Sequence, residues 1–266
     1  MLEIFQYSFM IRAFAAGAVI ALAAPLIGNF LVIRRFSLIA DTLSHMALVG
    51  VAIGLLTGTQ PLVVTIGVTI LAALAIEKLR SNRNIAAESV LAMFLPGGLA
   101  LSLVLISLAH GFNANLFNYL FGSITTVQAS ELWLVAALGL ATVVTVVGLY
   151  KQLLAAALDE ESAKVNGVKV ERVNAILMIL TAITVSLSMR IVGVLLIGAL
   201  MVIPGVTAMQ IARSFRQTMY LAVMFAMVAV LVGLFGAYYL NIPAGAAIVL
   251  LSLLIFGVVA TLRRRK

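Results

Sequence analysis

The sequence predicts an all-α fold: a polytopic membrane bundle of about nine spanning helices, with eight as the alternative count. Three observations predict it. Of 266 residues, 64% are hydrophobic and 10% charged, with a mean hydropathy of +1.22. A soluble domain carries ~25% charged residues, so a water-exposed globule could not be clothed in polar groups, whereas a bilayer requires an apolar surface. Apolar runs near the ~20 residues needed to cross a membrane recur along the chain. Short breaks separate them, and basic residues gather at alternate breaks.

In chain order the apolar segments are 13–33, 38–57, 61–77, 86–109, 132–150, 173–189, 191–210, 218–239 and 243–262. The third and sixth are short, which keeps eight spans, or a re-entrant piece, in play. Asn113 to Gln128 is too broken to span and reads as an interfacial turn of helix, with Phe117, Tyr119 and Phe121 near headgroup level. The whole of 1–266 is one transmembrane domain, and 151–172 is its longest polar loop. The first segment reads as a retained helix: its apolar run of ~20 residues exceeds the 7–15 of a signal core, and its basic flank follows it.

Orientation follows from lysine and arginine placement. With the N-terminus outside and the C-terminus cytoplasmic, 15 of the 17 basic residues fall inside. They form the groups Arg34 and Arg35; Lys78, Arg80 and Arg83; Lys151, Lys164, Lys169 and Arg172; Arg213 and Arg216; and Arg263 to Lys266. Only Arg12 and Arg190 lie outside. The net charge of +8 is thus an orientation signal and does not point to nucleic acid. The absence of cysteine excludes disulfides, thiolate zinc sites and iron–sulfur ligation.

Ionisable groups at bilayer depth cost at least ~2.5–3.5 kcal/mol and are functional candidates by default. The second segment carries two, Asp41 and His45. Four residues apart, they share one helix face. At ~1.5 Å per residue, Asp41 lies ~9 Å and His45 ~15 Å beyond Arg35, so His45 is near mid-membrane. A carboxylate and an imidazole together suit a borderline divalent metal. Two ligands make an incomplete site, which suits an ion that must also leave. The structural alternative is that the two pair with each other, or that Asp41 balances Arg34 or Arg35. No H-E-x-x-H sequence supports a metalloprotease, and we assign no catalytic residue and no resident cofactor. His110, the other histidine, reads as an interfacial residue at the outer end of the fourth segment.

The remaining features are less specific. Gly50 and Gly54 form a small-xxx-small pair suited to close helix packing. Pro204-Gly205 interrupts the seventh segment, as a bend or as the lining of a pathway. Thr181, Thr184, Ser186 and Ser188 can bond back to their own helix. In the inner loop, Asp159, Glu160 and Glu161 start a short helix that Gly167 closes, either a connector or a docking element. No G-x-x-x-x-G-K-[ST] sequence occurs, so any ATP motor must be a separate chain. No internal repeat is visible, which weakens the case for the common secondary-transporter folds.

RRFSLIADTLSHMALVGVAIG resembles the signature region of the permease subunits of bacterial ABC importers for zinc, manganese or iron. NLFNYLFGSI, VGVLLIGALMVIPGVTA and IPAGAAIVLL resemble three further stretches of that family, in the same order. The resemblance implies a homodimer in the bacterial cytoplasmic membrane, two cytosolic ATPase subunits and an extracytoplasmic metal-binding protein. It implies that Asp41 and His45 touch the metal in transit, zinc or manganese first and iron as a third candidate. It also implies a coupling helix within 158–167, with Leu158, Asp159, Glu160, Ala163 and Gly167 at the ATPase. Two positions depart from the pattern: Pro96-Gly97-Gly98 in the fourth segment, and Asn241 where relatives often have an acid. Both leave open whether the fourth and ninth helices add ligands. The competing function is a stand-alone ion- or proton-coupled carrier using the same buried pair as a relay. A third is a scaffold that would tolerate apolar replacement of both groups.

Overall fold

The computed structural model describes residues 3–81, 85–108, 119–123 and 128–264. His110, Phe117, Arg83, Arg265 and Lys266, and most of the expected interfacial turn, lie outside the described residues. Among the described residues the regular structure is entirely helical. In order the helices are α1 (Ser8–Ile33), α2 (Ile39–Thr57), α3 (Pro61–Arg80), α4 (Ala87–Leu108), α5 (Ala129–Gly148), α6 (Tyr150–Leu158), α7 (Glu160–Val165), α8 (Val170–Val192), α9 (Ile197–Met209), α10 (Phe215–Leu240) and α11 (Ala244–Arg264).

Eight of these (α1 to α5, α8, α10 and α11) are long and apolar enough to cross a membrane. The expected seventh span is the exception. Its first residues belong to α8, a non-helical turn follows at 193–196, and α9 has 13 residues. At ~1.5 Å per residue α9 is ~20 Å long, against a hydrocarbon core of ~30 Å. The break has a local cause. Gly193 has φ +86°, a left-handed conformation that a side chain disfavours, and it ends α8.

Buried non-helical backbone must find partners elsewhere. The Val194 amide donates to the Tyr119 carbonyl (2.9 Å), Leu195 to Leu120 (3.2 Å), and the Ser123 amide to the Arg190 carbonyl (3.1 Å). Three glycines allow this contact. A Cβ on Gly193 would lie 2.5 Å from the Gly122 nitrogen, one on Gly122 would lie 2.6 Å from the Ile191 carbonyl carbon, and one on Gly245 would lie 2.7 Å from the Val192 carbonyl carbon. Three of the stretches singled out in the sequence therefore meet at one backbone junction.

The centre of the bundle is α1, α2 and α8, and α9 packs against α1, α10 and α11, with a smaller contact to α2. Gly28 of α1 lets the α9 backbone in: a Cβ there would be 2.7 Å from the Met201 carbonyl carbon. Gly50 and Gly54 meet Thr65 and Pro61 of α3, so this pair is a packing surface. The α8 hydroxyls of Thr181, Ser186 and Ser188 bond to carbonyls four residues back, and Ser186 also reaches Thr69 of α3 at 3.1 Å. At one end of the bundle Phe30, Tyr150 and Phe215 form an aromatic cluster joining α1, α6 and α10.

Candidate metal site and the polar clusters around it

Asp41 lies in the first turn of α2, and His45 follows one turn later on the same face. Both are half-buried. The neighbouring hydroxyls are used locally: Ser44 donates to the Asp41 backbone carbonyl at 2.7 Å, and Thr42 to that of Leu38 at 3.0 Å. Among the described residues the Asp41 carboxylate has no hydrogen bond or ion pair. His45 Nδ1 is buried and has no hydrogen-bond partner among the described residues. Two groups able to bind metal thus stand together with their donor atoms unspent.

Each abuts a glycine on a neighbouring helix. A Cβ on Gly198, at the start of α9, would sit 2.7 Å from the Asp41 carboxylate carbon and closer still to Oδ1. A Cβ on Gly98 of α4 would sit 2.8 Å from Met46 Sδ and 3.2 Å from the His45 carbonyl carbon. The Pro96-Gly97-Gly98 run therefore does not break α4, which is helical from Ala87 to Leu108. Its last glycine brings α4 against the helix that carries His45. Neither α4 nor α11 adds a carboxylate or imidazole to the pair: no group of three or more such residues gathers among the described residues. Asn241 caps α10 in a left-handed conformation (φ 53°, ψ 44°), which Asn tolerates better than most residues. Pro204 is buried inside α9, and Gly205 beside it faces the buried Asn29 of α1.

The alternative pairing of Asp41 with Arg34 does not occur. Arg34 is bound to Glu160 of α7. The same Glu160 Oε1 also accepts from Arg80 Nη2 at 3.1 Å and from Asn174 Nδ2 at 3.1 Å. Arg80 holds Glu77 with both forks, at 2.8 and 2.9 Å, and lies over the Phe36 ring. Burial by itself would raise the Glu160 carboxyl, but the Arg80 and Arg34 guanidiniums and these hydrogen bonds outweigh it and hold it below the ordinary carboxylate range.

The short helix forms as its residues suggest. Asp159 caps it, accepting from the Glu161 amide (2.9 Å), the Ser162 amide (3.1 Å) and the Ser162 hydroxyl (2.7 Å). Gly167 at φ +82° closes the following turn. Leu158 is exposed, as is Val165 at the far end, whereas Ala163 is buried against the bundle and Glu160 turns inward. A further pair went unread in the sequence. Glu131 at the start of α5 and Arg190 near the end of α8 are both buried and meet at 2.8 Å, with Arg190 also over the Tyr119 ring. The sequence marks Arg190 only as one of two outer basic residues. A lone acid and a lone base, each at the end of an apolar run, were the available signal.

A model of the ABC 3 transport family matches residues 6–263. This chain belongs to that family. It is 30% identical over 251 residues to the high-affinity zinc uptake system membrane protein ZnuB of Haemophilus influenzae, covering 94% of this chain and 96% of that one. It is 32% identical over 251 residues to the manganese import system permease protein ScaB of Streptococcus gordonii, covering 94% and 90%. Its fold superposes on a chain of PsaBC from Streptococcus pneumoniae, solved in complex with Fab, with a TM-score of 0.86, 31% identity and coverage of 97% and 92%. The resemblance read from four short stretches thus extends over nearly the whole chain.

Proposed function

We propose that this chain is the permease of an ATP-driven importer of a divalent transition metal, zinc or manganese, in the bacterial cytoplasmic membrane. The observation that carries the proposal is the Asp41–His45 pair, an intramembrane carboxylate and imidazole with unspent donor atoms, in a chain of the ABC 3 transport family. Relatives named for zinc and for manganese support the cargo class. Zinc favours imidazole and four-coordination, whereas manganese prefers more oxygens. One carboxylate and one histidine serve both.

Two ligands per chain leave the ion under-coordinated. A homodimer with its two α2 helices facing each other supplies two carboxylates and two imidazoles, enough to bind without holding permanently. With the N-terminus outside, α6 and α7 lie on the cytosolic side. There the exposed Leu158 and Val165 offer apolar contacts to a cytosolic ATPase, and an extracytoplasmic binding protein delivers the ion to the opposite face. The test is uptake by proteoliposomes containing the permease and its ATPase, one metal at a time. Asp41→Ala and His45→Ala should each abolish ATP-dependent uptake while the complex still assembles. Unchanged uptake in both would remove the assigned site, and equal uptake without the ATPase would favour a stand-alone carrier. Deleting 158–167 should abolish copurification with the ATPase.

A further inference from the structure

We infer that Glu160 is the positioning residue that ties the cytosolic helix α7 to the corner from which the metal-bearing helix α2 starts, so that movement of α7 reaches Asp41. This inference rests on the reading of α7 as the ATPase contact.

The geometry is specific. Glu160 is the first residue of α7, and one of its oxygens is shared by donors from three other parts of the chain. Arg34 follows α1, Arg80 is the last residue of α3, and Asn174 lies in the second turn of α8. Arg34 is the nearest of these to the metal helix, seven residues before Asp41. The intervening corner is tight. Arg35 has φ 55°, the Arg35 amide donates to the Val32 carbonyl (3.0 Å), and the Phe36 amide to that of Leu31 (2.9 Å). Phe36 is buried beneath the Arg80 guanidinium, 5.7 Å from ring centroid to Cζ. A pull on Glu160 therefore acts on the entrance of α2 through two routes, Arg34 and the Arg80–Phe36 stack.

The link at Glu160 is ionic, and Ala163 of the same helix supplies its packed contact. The Arg34 side chain is 7% exposed and Glu160 38% exposed. An open cavity of about 570 Å³ borders the cluster, lined by Glu77, Arg80 and Glu160 and by the apolar Leu74, Val170 and Ala175. Two carboxylates, Glu77 and Glu160, balance two guanidiniums, Arg34 and Arg80, so loss of Glu160 unbalances a largely desolvated cluster. The neighbouring Glu161 is exposed and contributes only its amide, to the Asp159 cap.

The experiment uses the whole complex in proteoliposomes and three readouts: copurification of the ATPase, ATP hydrolysis, and metal taken up per ATP. Glu160→Gln keeps the size and loses the charge. It should copurify and hydrolyse ATP while uptake per ATP falls at least tenfold. Glu161→Gln should leave the ratio unchanged, and Glu160→Asp should recover at least half of it. A wild-type ratio in Glu160→Gln, or equal losses in Glu160→Gln and Glu161→Gln, would overturn the inference. If Glu160→Gln yields no complex, Glu160→Asp and Arg80→Lys are measured in the same way, with a partial loss expected in both; wild-type ratios in both would overturn it. Failure of the docking reading has a separate signature, namely ATPase copurification that survives deletion of 158–167.

Discussion

Gly198→Ala is the substitution that best isolates the proposed metal site from the fold. The Cβ it introduces falls 2.7 Å from the Asp41 carboxylate carbon, 0.7 Å inside the 3.4 Å at which ordinary contact begins. What it meets is the end of a short side chain free to rotate, so α9 stays seated and the carboxylate swings away. Overfilling a packed site costs about 1–3 kcal/mol. At 1.4 kcal/mol per factor of ten, that is about 5- to 150-fold in metal affinity. Gly98→Ala meets the movable Met46 sulfur at 2.8 Å and the His45 and Met46 backbone at 3.2 Å, only 0.2 Å too close, so a loss of a few-fold is expected. Gly97→Ala, one residue away in the same helix, meets nothing within 4 Å. It should be neutral or gain up to about 1 kcal/mol of helix stability. The assay is metal uptake against metal concentration in proteoliposomes with the ATPase, with assembly checked by copurification. Wild-type uptake by Gly198→Ala, or equal damage from Gly97→Ala and Gly98→Ala, would refute the placement of α9 and α4 against the pair.

Removing one member of a buried ion pair costs about 3–5 kcal/mol, whereas replacing both with apolar groups is often neutral. Glu131→Leu should therefore lower the thermal midpoint in detergent, and adding Arg190→Leu should restore much of it; an additive loss in the double variant would count against the pairing. Gly193→Ala combines a left-handed φ with a Cβ 2.5 Å from Gly122 nitrogen, and it should abolish accumulation in the membrane. Gly58→Ala shares the left-handed φ but has open space, so it should cost only about 1–2 kcal/mol of strain and still accumulate. The Asp159 carboxyl is held below its ordinary value by the Ser162 hydroxyl first, then by the Ser162 and Glu161 amides. A lowered carboxyl stabilises fully above its unfolded value and loses that contribution as pH falls through the folded one. Protection of the Glu161 and Ser162 amides, corrected for intrinsic exchange, should thus be constant between about pH 5 and 9. Loss of protection within that range would argue against the cap.

The fold class was legible because it depends on one-dimensional quantities. Run length, hydropathy and charge breaks locate the eight long helices, and a carboxylate and a histidine four residues apart in an apolar run stand out without knowledge of any neighbour. The acidic start of α7 and the closing turn at Gly167 were legible for the same reason, since helix-end effects are local. Of the two counts the sequence allows, eight helices are long enough to span; the expected seventh span holds a shorter helix, because hydropathy is blind to backbone conformation. Residues 191–210 are apolar throughout, yet Gly193 turns the chain, and the freed amides are satisfied by residues more than 70 positions away.

What sequence alone determined, then, is the solvent this protein lives in, the positions of its long helices and the one carboxylate–imidazole pair that the proposed metal path rests on. Only the tertiary structure decided what surrounds them: that Gly98 and Gly198 admit α4 and α9 to His45 and Asp41, and that Arg34 belongs to Glu160 and leaves Asp41 unpaired. The physical reason is that hydrophobicity and capping act within a few residues. Close backbone approach and charge pairing depend on which helices meet, and here the paired groups lie up to 126 residues apart.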